Sequence, residues 1–78
     1  MTSDATYLGH ILEAIRRILA DTAGGEAEFL ADARTQDAVL RNLQIVGEAA
    51  KKLSPGLIAA RPEIPWKSMT GLRDRVVH

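Results

Sequence analysis

One stretch of this chain holds residue types and a spacing that could do acid–base chemistry: Arg73-Asp74-Arg75-Val76-Val77-His78. On an α-helix successive residues advance about 100°, so Asp74 and His78 fall about 40° apart on one face, and Arg73 lies about 140° round from His78. Arg75, three residues before His78, is a neighbour on the same surface. A carboxylate one turn before an imidazole orients the ring and raises its pKa. The imidazole itself titrates near neutrality and can take or give a proton. A guanidinium presents a planar fork of N–H donors that matches two phosphate oxygens and stays charged while the transition state gains charge. Together they suit phosphodiester cleavage without a metal. The wide angle between Arg73 and His78 makes a poor site on a single helix. Two copies across a two-fold axis would set two of each group around one phosphate. On spacing alone, a solvated helix end carrying an Asp–His pair fits as readily, because short motifs of this kind arise often by chance.

The other candidates are weaker. His10 stands beside Gly9, with no acidic residue four positions away and no second histidine near it, so the spacing predicts no metal site there. Arg41 and Glu48, with Asn42 and Gln44 between them, could line a cleft, although the usual fate of helical charges is a solvated face. Trp66, directly after Pro65, reads as a core anchor. Gly24-Gly25 lacks the flanking strand and lysine of a phosphate-binding loop. No cofactor is expected.

The elements that would position the Arg73–His78 stretch can be read from apolar periodicity. Tyr7, Leu8, Ile11, Leu12, Ile15, Ile18 and Leu19 recur at spacings of three and four, predicting an amphipathic helix from about Asp4 to Ala20. Thr2, Ser3 or Asp4 could cap it, and Gly24-Gly25 ends the region. A short apolar turn, Ala27 to Ala31, precedes a second long helix from Thr35 to Leu53, with Val39, Leu40, Leu43, Val46, Ala50 and Leu53 on its apolar face. Gly47 and Ala49 are small enough for close helix contact. Ser54-Pro55-Gly56 breaks this helix, and Leu57 to Ala60 can make one further turn. Pro62 and Pro65 impose an extended connector, and Pro65 pre-sets the chain for a last helix from Trp66 or Lys67. That helix carries Met69, Leu72 and Val76 on one stripe. No strand pattern or repeat is visible, and the fold class is all-α.

Composition sets the outer bounds. With 78 residues, 46% hydrophobic and 26% charged, the chain is one ordinary globular domain spanning 1–78. Cysteine is absent, which excludes disulfides and thiolate ligands. No apolar run approaches the roughly 18 residues of a membrane span, and Met1-Thr2-Ser3-Asp4 does not begin a signal peptide. A cytoplasmic protein without membrane association is expected. The net charge is zero but unevenly spread. Residues 1–50 hold four basic and eight acidic side chains, whereas 51–78 hold six basic against Glu63 and Asp74. A basic segment of this kind can meet an anion, or simply pair with its acidic neighbour.

The order of segments is more specific than any single motif. "YLGHILEAIRRI" (Tyr7 to Ile18), "RTQDAVLRNLQIVGEAAKKLSP" (Arg34 to Pro55) and "PEIPWKSMTGLRDRVVH" (Pro62 to His78) together resemble the HepT family of the HEPN superfamily across nearly the whole chain. The resemblance implies an up-and-down helical bundle that forms a homodimer, with an Arg-x4–6-His motif from each subunit meeting at the interface. It implies a metal-independent ribonuclease acting on RNA, the toxin half of a toxin–antitoxin pair. The implied partner is a minimal nucleotidyltransferase antitoxin, which attaches AMP to a tyrosine two residues beyond the histidine. Carried over by position, Arg73 and His78 are the catalytic pair, with Asp74 and Arg75 supporting. The sequence departs from that pattern after His78, where the family continues through the tyrosine and a further C-terminal helix. A domain ending at His78 would lack both, and a terminal carboxylate there would compete with phosphate, so weak activity is expected of this form. The alternative reading is a non-catalytic helical module that binds a nucleotidyltransferase or its substrate.

Overall fold

The computed structural model describes residues 3–77, with side chains described for 3–72. Five helices follow one another: α1 (Asp4–Asp21), α2 (Glu26–Ala31), α3 (Ala33–Lys51), α4 (Pro55–Ala60) and α5 (Trp66–Val77). No strand occurs among the described residues, and the all-α class stands. No helix among them is long and apolar enough to cross a membrane.

The helix ends follow local chemistry. Asp32 caps α3, its Oδ1 accepting the backbone N–H groups of Arg34 (3.0 Å) and Thr35 (3.4 Å) and its Oδ2 accepting the Thr35 hydroxyl (2.9 Å). These bonds satisfy amides that an uncapped helix start would leave unpaired. They start α3 at Ala33, two residues before the sequence pattern places it. Ser54 caps α4 in the same way, its hydroxyl accepting the Leu57 N–H at 3.2 Å with Pro55 at the first helical position. Between α1 and α2 the chain turns at Gly25, whose φ of +93° is open to glycine and strained for other residues.

α3 is the central helix, packed against α1 on one side and α5 on another. Ile11 and Ala14 of α1 meet Val46, Ala49 and Ala50 of α3, with Leu53 and Trp66 completing the core. Ala50 and Ala14 are 1% and 2% exposed, so helix backbones approach closely through small side chains. Trp66 anchors the start of α5 as the sequence predicts. Its ring is buried, and its Nε1 donates to the Arg61 carbonyl at 2.9 Å, tying the proline-bounded connector to the core. Met69 and Leu72 extend the same contact along α5.

Two apolar expectations differ from the structure. Leu12, Ile15 and Leu19 belong to the α1 periodicity but are exposed by 61%, 40% and 65%. Leu40 of α3 is also exposed, at 44%. The apolar arc of α1 is wider than the face that α3 covers, so its outer edge faces away from this core.

Candidate functional site

α5 carries Arg73, Asp74 and Arg75 on its last turns, and the expected single helix from Trp66 through this stretch is present. The side chains of these three residues and the whole of His78 lie outside the described residues. What positions the segment is nonetheless on view. Trp66, Met69 and Leu72 fasten α5 against the core, and the backbone that bears Arg73 continues directly from that fastened turn. Arg41 and Glu48, the possible cleft-lining pair, are exposed on α3 and do not line the cavity between α1 and α3.

That cavity, of about 300 Å³, is lined by His10, Glu13, Ala14 and Arg17 of α1 and by Asn42 and Ile45 of α3. The four α1 residues alternate at spacings of three and four, which sets them along one side of the helix. Glu13 accepts from Arg17 Nε at 3.1 Å and from Arg16 Nη1 at 3.5 Å. The ring of His10 stands edge-on to Tyr7, with centroids 6.1 Å apart and planes at 82°, an arrangement aromatic pairs favour. Tyr7 in turn lies 5.6 Å beneath the Lys52 ammonium. Asn42 is the single buried polar residue among those described, at 7% exposure, and its Nδ2 donates to the Ala38 carbonyl at 3.0 Å.

The sequence reading placed no function on Glu13, Arg17 or Asn42. A signal for Asn42 was present: it occupies a core-facing position between Val39 and Val46, where an apolar residue would be the default. Nothing in one helix's sequence says that the polar flank of α1 comes to lie against it.

Two carboxylates elsewhere are held below their ordinary range. Asp4 is lowered chiefly by the Ser54 hydroxyl and then by the Ser54 N–H, and Asp32 by the Thr35 hydroxyl and the N–H groups of Thr35 and Arg34. Both are structural ties rather than reactive groups. Among the described residues no cluster of three His, Asp or Glu side chains could hold a metal ion.

A family model for Ribonuclease HepT-like proteins matches residues 10–78. A candidate RNase of Methanocaldococcus jannaschii is 49% identical over 73 residues, covering 92% of this chain and 60% of that protein. A candidate ribonuclease HepT of Thermococcus cleftensis is 43% identical over 77 residues, covering 97% of this chain and 70% of its own length. A candidate RNase of Caldanaerobacter subterraneus subsp. tengcongensis is 33% identical, with 100% of this chain and 70% of that protein aligned. The chain thus spans 60 to 70% of the length of these relatives. No solved structure matches it.

Proposed function

This chain belongs to the Ribonuclease HepT-like family, and from that membership we propose that it cleaves RNA without a metal, as the toxin of a toxin–antitoxin pair. The observation that carries the reading is the extent of the family match, which runs from residue 10 through Arg73 to His78 and so includes the whole motif. The relatives named as candidate ribonucleases support it.

In the proposed reaction the RNA 2′-hydroxyl attacks the adjacent phosphorus and the 5′-oxygen leaves. The imidazole of His78 takes the hydroxyl proton or returns one to the leaving oxygen, and the Arg73 guanidinium binds the phosphoryl oxygens as their charge grows. Asp74, one turn before His78, orients the ring and favours its protonated form, while Arg75 adds positive charge. Because Arg73 and His78 diverge by about 140° on one helix, the site is shared between two copies. The apolar edge of α1, Leu12, Ile15 and Leu19, is a surface such a homodimer could cover. A minimal nucleotidyltransferase is the proposed antitoxin, acting in the cytoplasm.

The test is cleavage of single-stranded RNA in EDTA by this chain and by a version continued to the length of the relatives. Arg73→Ala and His78→Ala, each made in the form that cleaves, should abolish cleavage and leave the helical content unchanged. Activity that survives both substitutions refutes the catalytic assignment. Absence of cleavage by either form, with capture of a nucleotidyltransferase, would favour the interaction module instead.

A further inference from the structure

The cavity between α1 and α3 is separate in sequence from the Arg73–His78 stretch, and its lining is unusual for a helix–helix seam. Its floor is apolar, from Ala14 and Ile45, and its polar groups are a buried carboxamide, an imidazole and an arginine whose charge is already met by Glu13. The Glu13 carboxylate lines the same space, so an anion entering it would meet a negative charge as well as a positive one. That combination disfavours phosphate and suits a neutral, planar, hydrogen-bonding ring.

Asn42 supplies the recognition element. Asn42 as a residue is 7% exposed, and the bond from Nδ2 to the Ala38 carbonyl uses one of its N–H donors. The second N–H and the carbonyl oxygen make no other hydrogen bond among the described residues. A donor and an acceptor side by side on one planar group match the edge of a nucleobase, as asparagine pairs with adenine through N6 and N7. Imidazole and guanidinium planes are the usual stacking partners of an unpaired base. His10, steadied edge-on by Tyr7, and Arg17, steadied through Nε by Glu13, stand at the rim to supply them. At about 300 Å³ the space is at the small end of ligand pockets, enough for one ring system.

We propose that this cavity takes a single unpaired nucleobase, with Asn42 reading its edge and His10 and Arg17 covering its face. The identification of the ring as a base of the RNA substrate rests on the ribonuclease reading above. The site would then select which nucleotide of a single strand is held while another is presented for cleavage.

The experiment titrates the 78-residue chain with adenosine, then with a short single-stranded oligoribonucleotide, and follows the Asn42 side-chain amide and the His10 ring by NMR. Saturable shifts of both signals are expected with each probe, and inorganic phosphate should neither cause them nor compete. Arg17→Ala and His10→Ala, both at exposed positions, should each weaken binding several-fold with unchanged helical content. Asn42→Asp, which keeps the shape but replaces the N–H donors with a second acceptor oxygen, should weaken it by about 10-fold or more. Shifts with the oligonucleotide alone would assign the base to a strand, and shifts with adenosine as well would allow a free nucleoside. The proposal is overturned if neither probe moves the Asn42 amide, if phosphate does, or if all three variants bind as the parent does. Base binding with no RNA cleavage by either this chain or the version continued to the length of the relatives would leave this site standing and remove the ribonuclease reading; cleavage without base binding would do the reverse.

Discussion

The carboxylate of Asp4 accepts both the backbone N–H of Ser54, at 2.9 Å, and its hydroxyl, at 2.5 Å, across 50 positions of sequence. One acidic side chain at the start of α1 thereby grips the residue that caps α4, and through it the corner where the chain leaves α3. Ser3 precedes α1 as its N-cap residue but makes no side-chain capping bond, and Asp4 reaches across the fold instead of back to its own helix.

This tie makes stability depend on acidity. Ser54 holds the Asp4 carboxyl below its ordinary value, and Thr35 does the same to Asp32. A carboxylate lowered in the folded state stabilises it above the unfolded pKa, and that contribution is lost as pH falls through the folded value. The melting temperature should therefore be level near neutrality and fall as pH drops from about 4 downward. Asp4→Asn should lower the melting temperature at pH 7 and flatten the acid slope. Equal slopes for parent and variant between pH 5 and pH 2 would show that the tie carries no linkage.

Trp66 joins three elements, because its ring fills the core beside Leu53 and its Nε1 holds the Arg61 carbonyl. Trp66→Ala should cost about 3–5 kcal/mol, a large share of the roughly 4–12 kcal/mol expected of a domain this size. Trp66→Phe keeps most of the ring and loses the bond, so it should cost roughly 1–2 kcal/mol. Urea unfolding followed by circular dichroism measures both. Similar costs for the two variants would mean that the hydrogen bond, not the packed ring, is the anchor.

Ala50 and Leu40 both belong to the apolar periodicity of α3, yet one is 1% and the other 44% exposed. Ala50→Leu should force α1 and α3 apart and cost about 1–3 kcal/mol, whereas Leu40→Ala should cost about 1 kcal/mol or less. The same unfolding measurement ranks them, and a reversed order would place the close contact elsewhere.

These pairs show where sequence reasoning reaches and where it stops. Proline and capping chemistry are local, so the breaks at Ser54-Pro55 and Pro62 to Pro65, and the start of α5 at Trp66, were legible within a residue or two. Periodicity gave the apolar arc of α1 but not its division, because which part of an arc is covered depends on the angle at which α3 crosses it. For that reason Ile11 and Leu12, adjacent and equally apolar, ended at 4% and 61% exposure. The site divides the same way. The Arg73–His78 spacing is a pattern within one stretch of sequence, and the side chains it names lie outside the described residues. The cavity of His10, Arg17 and Asn42 belongs to two helices brought together by packing, and its only trace in the sequence was a polar residue in an apolar row.

The exposed edge of α1 carries the last prediction. Leu12, Ile15 and Leu19 fall within about 60° of one another on the helix surface, and all three are 40% exposed or more. A dimer that buries this edge would remove roughly 1.5–3 kcal/mol worth of exposure for each large side chain covered. Leu12→Asp combined with Leu19→Asp should then weaken self-association at least about 100-fold. The fold should survive, because neither side chain belongs to the core. Sedimentation equilibrium of parent and double variant reads the dissociation constant directly, and circular dichroism checks the helices. If the site is shared across the dimer, RNA cleavage should fall with the dimer fraction and recover at high protein concentration. A parent that is monomeric at the concentration where it cleaves, or a double variant that associates as tightly as the parent, would place the two-fold axis on another face or remove it altogether.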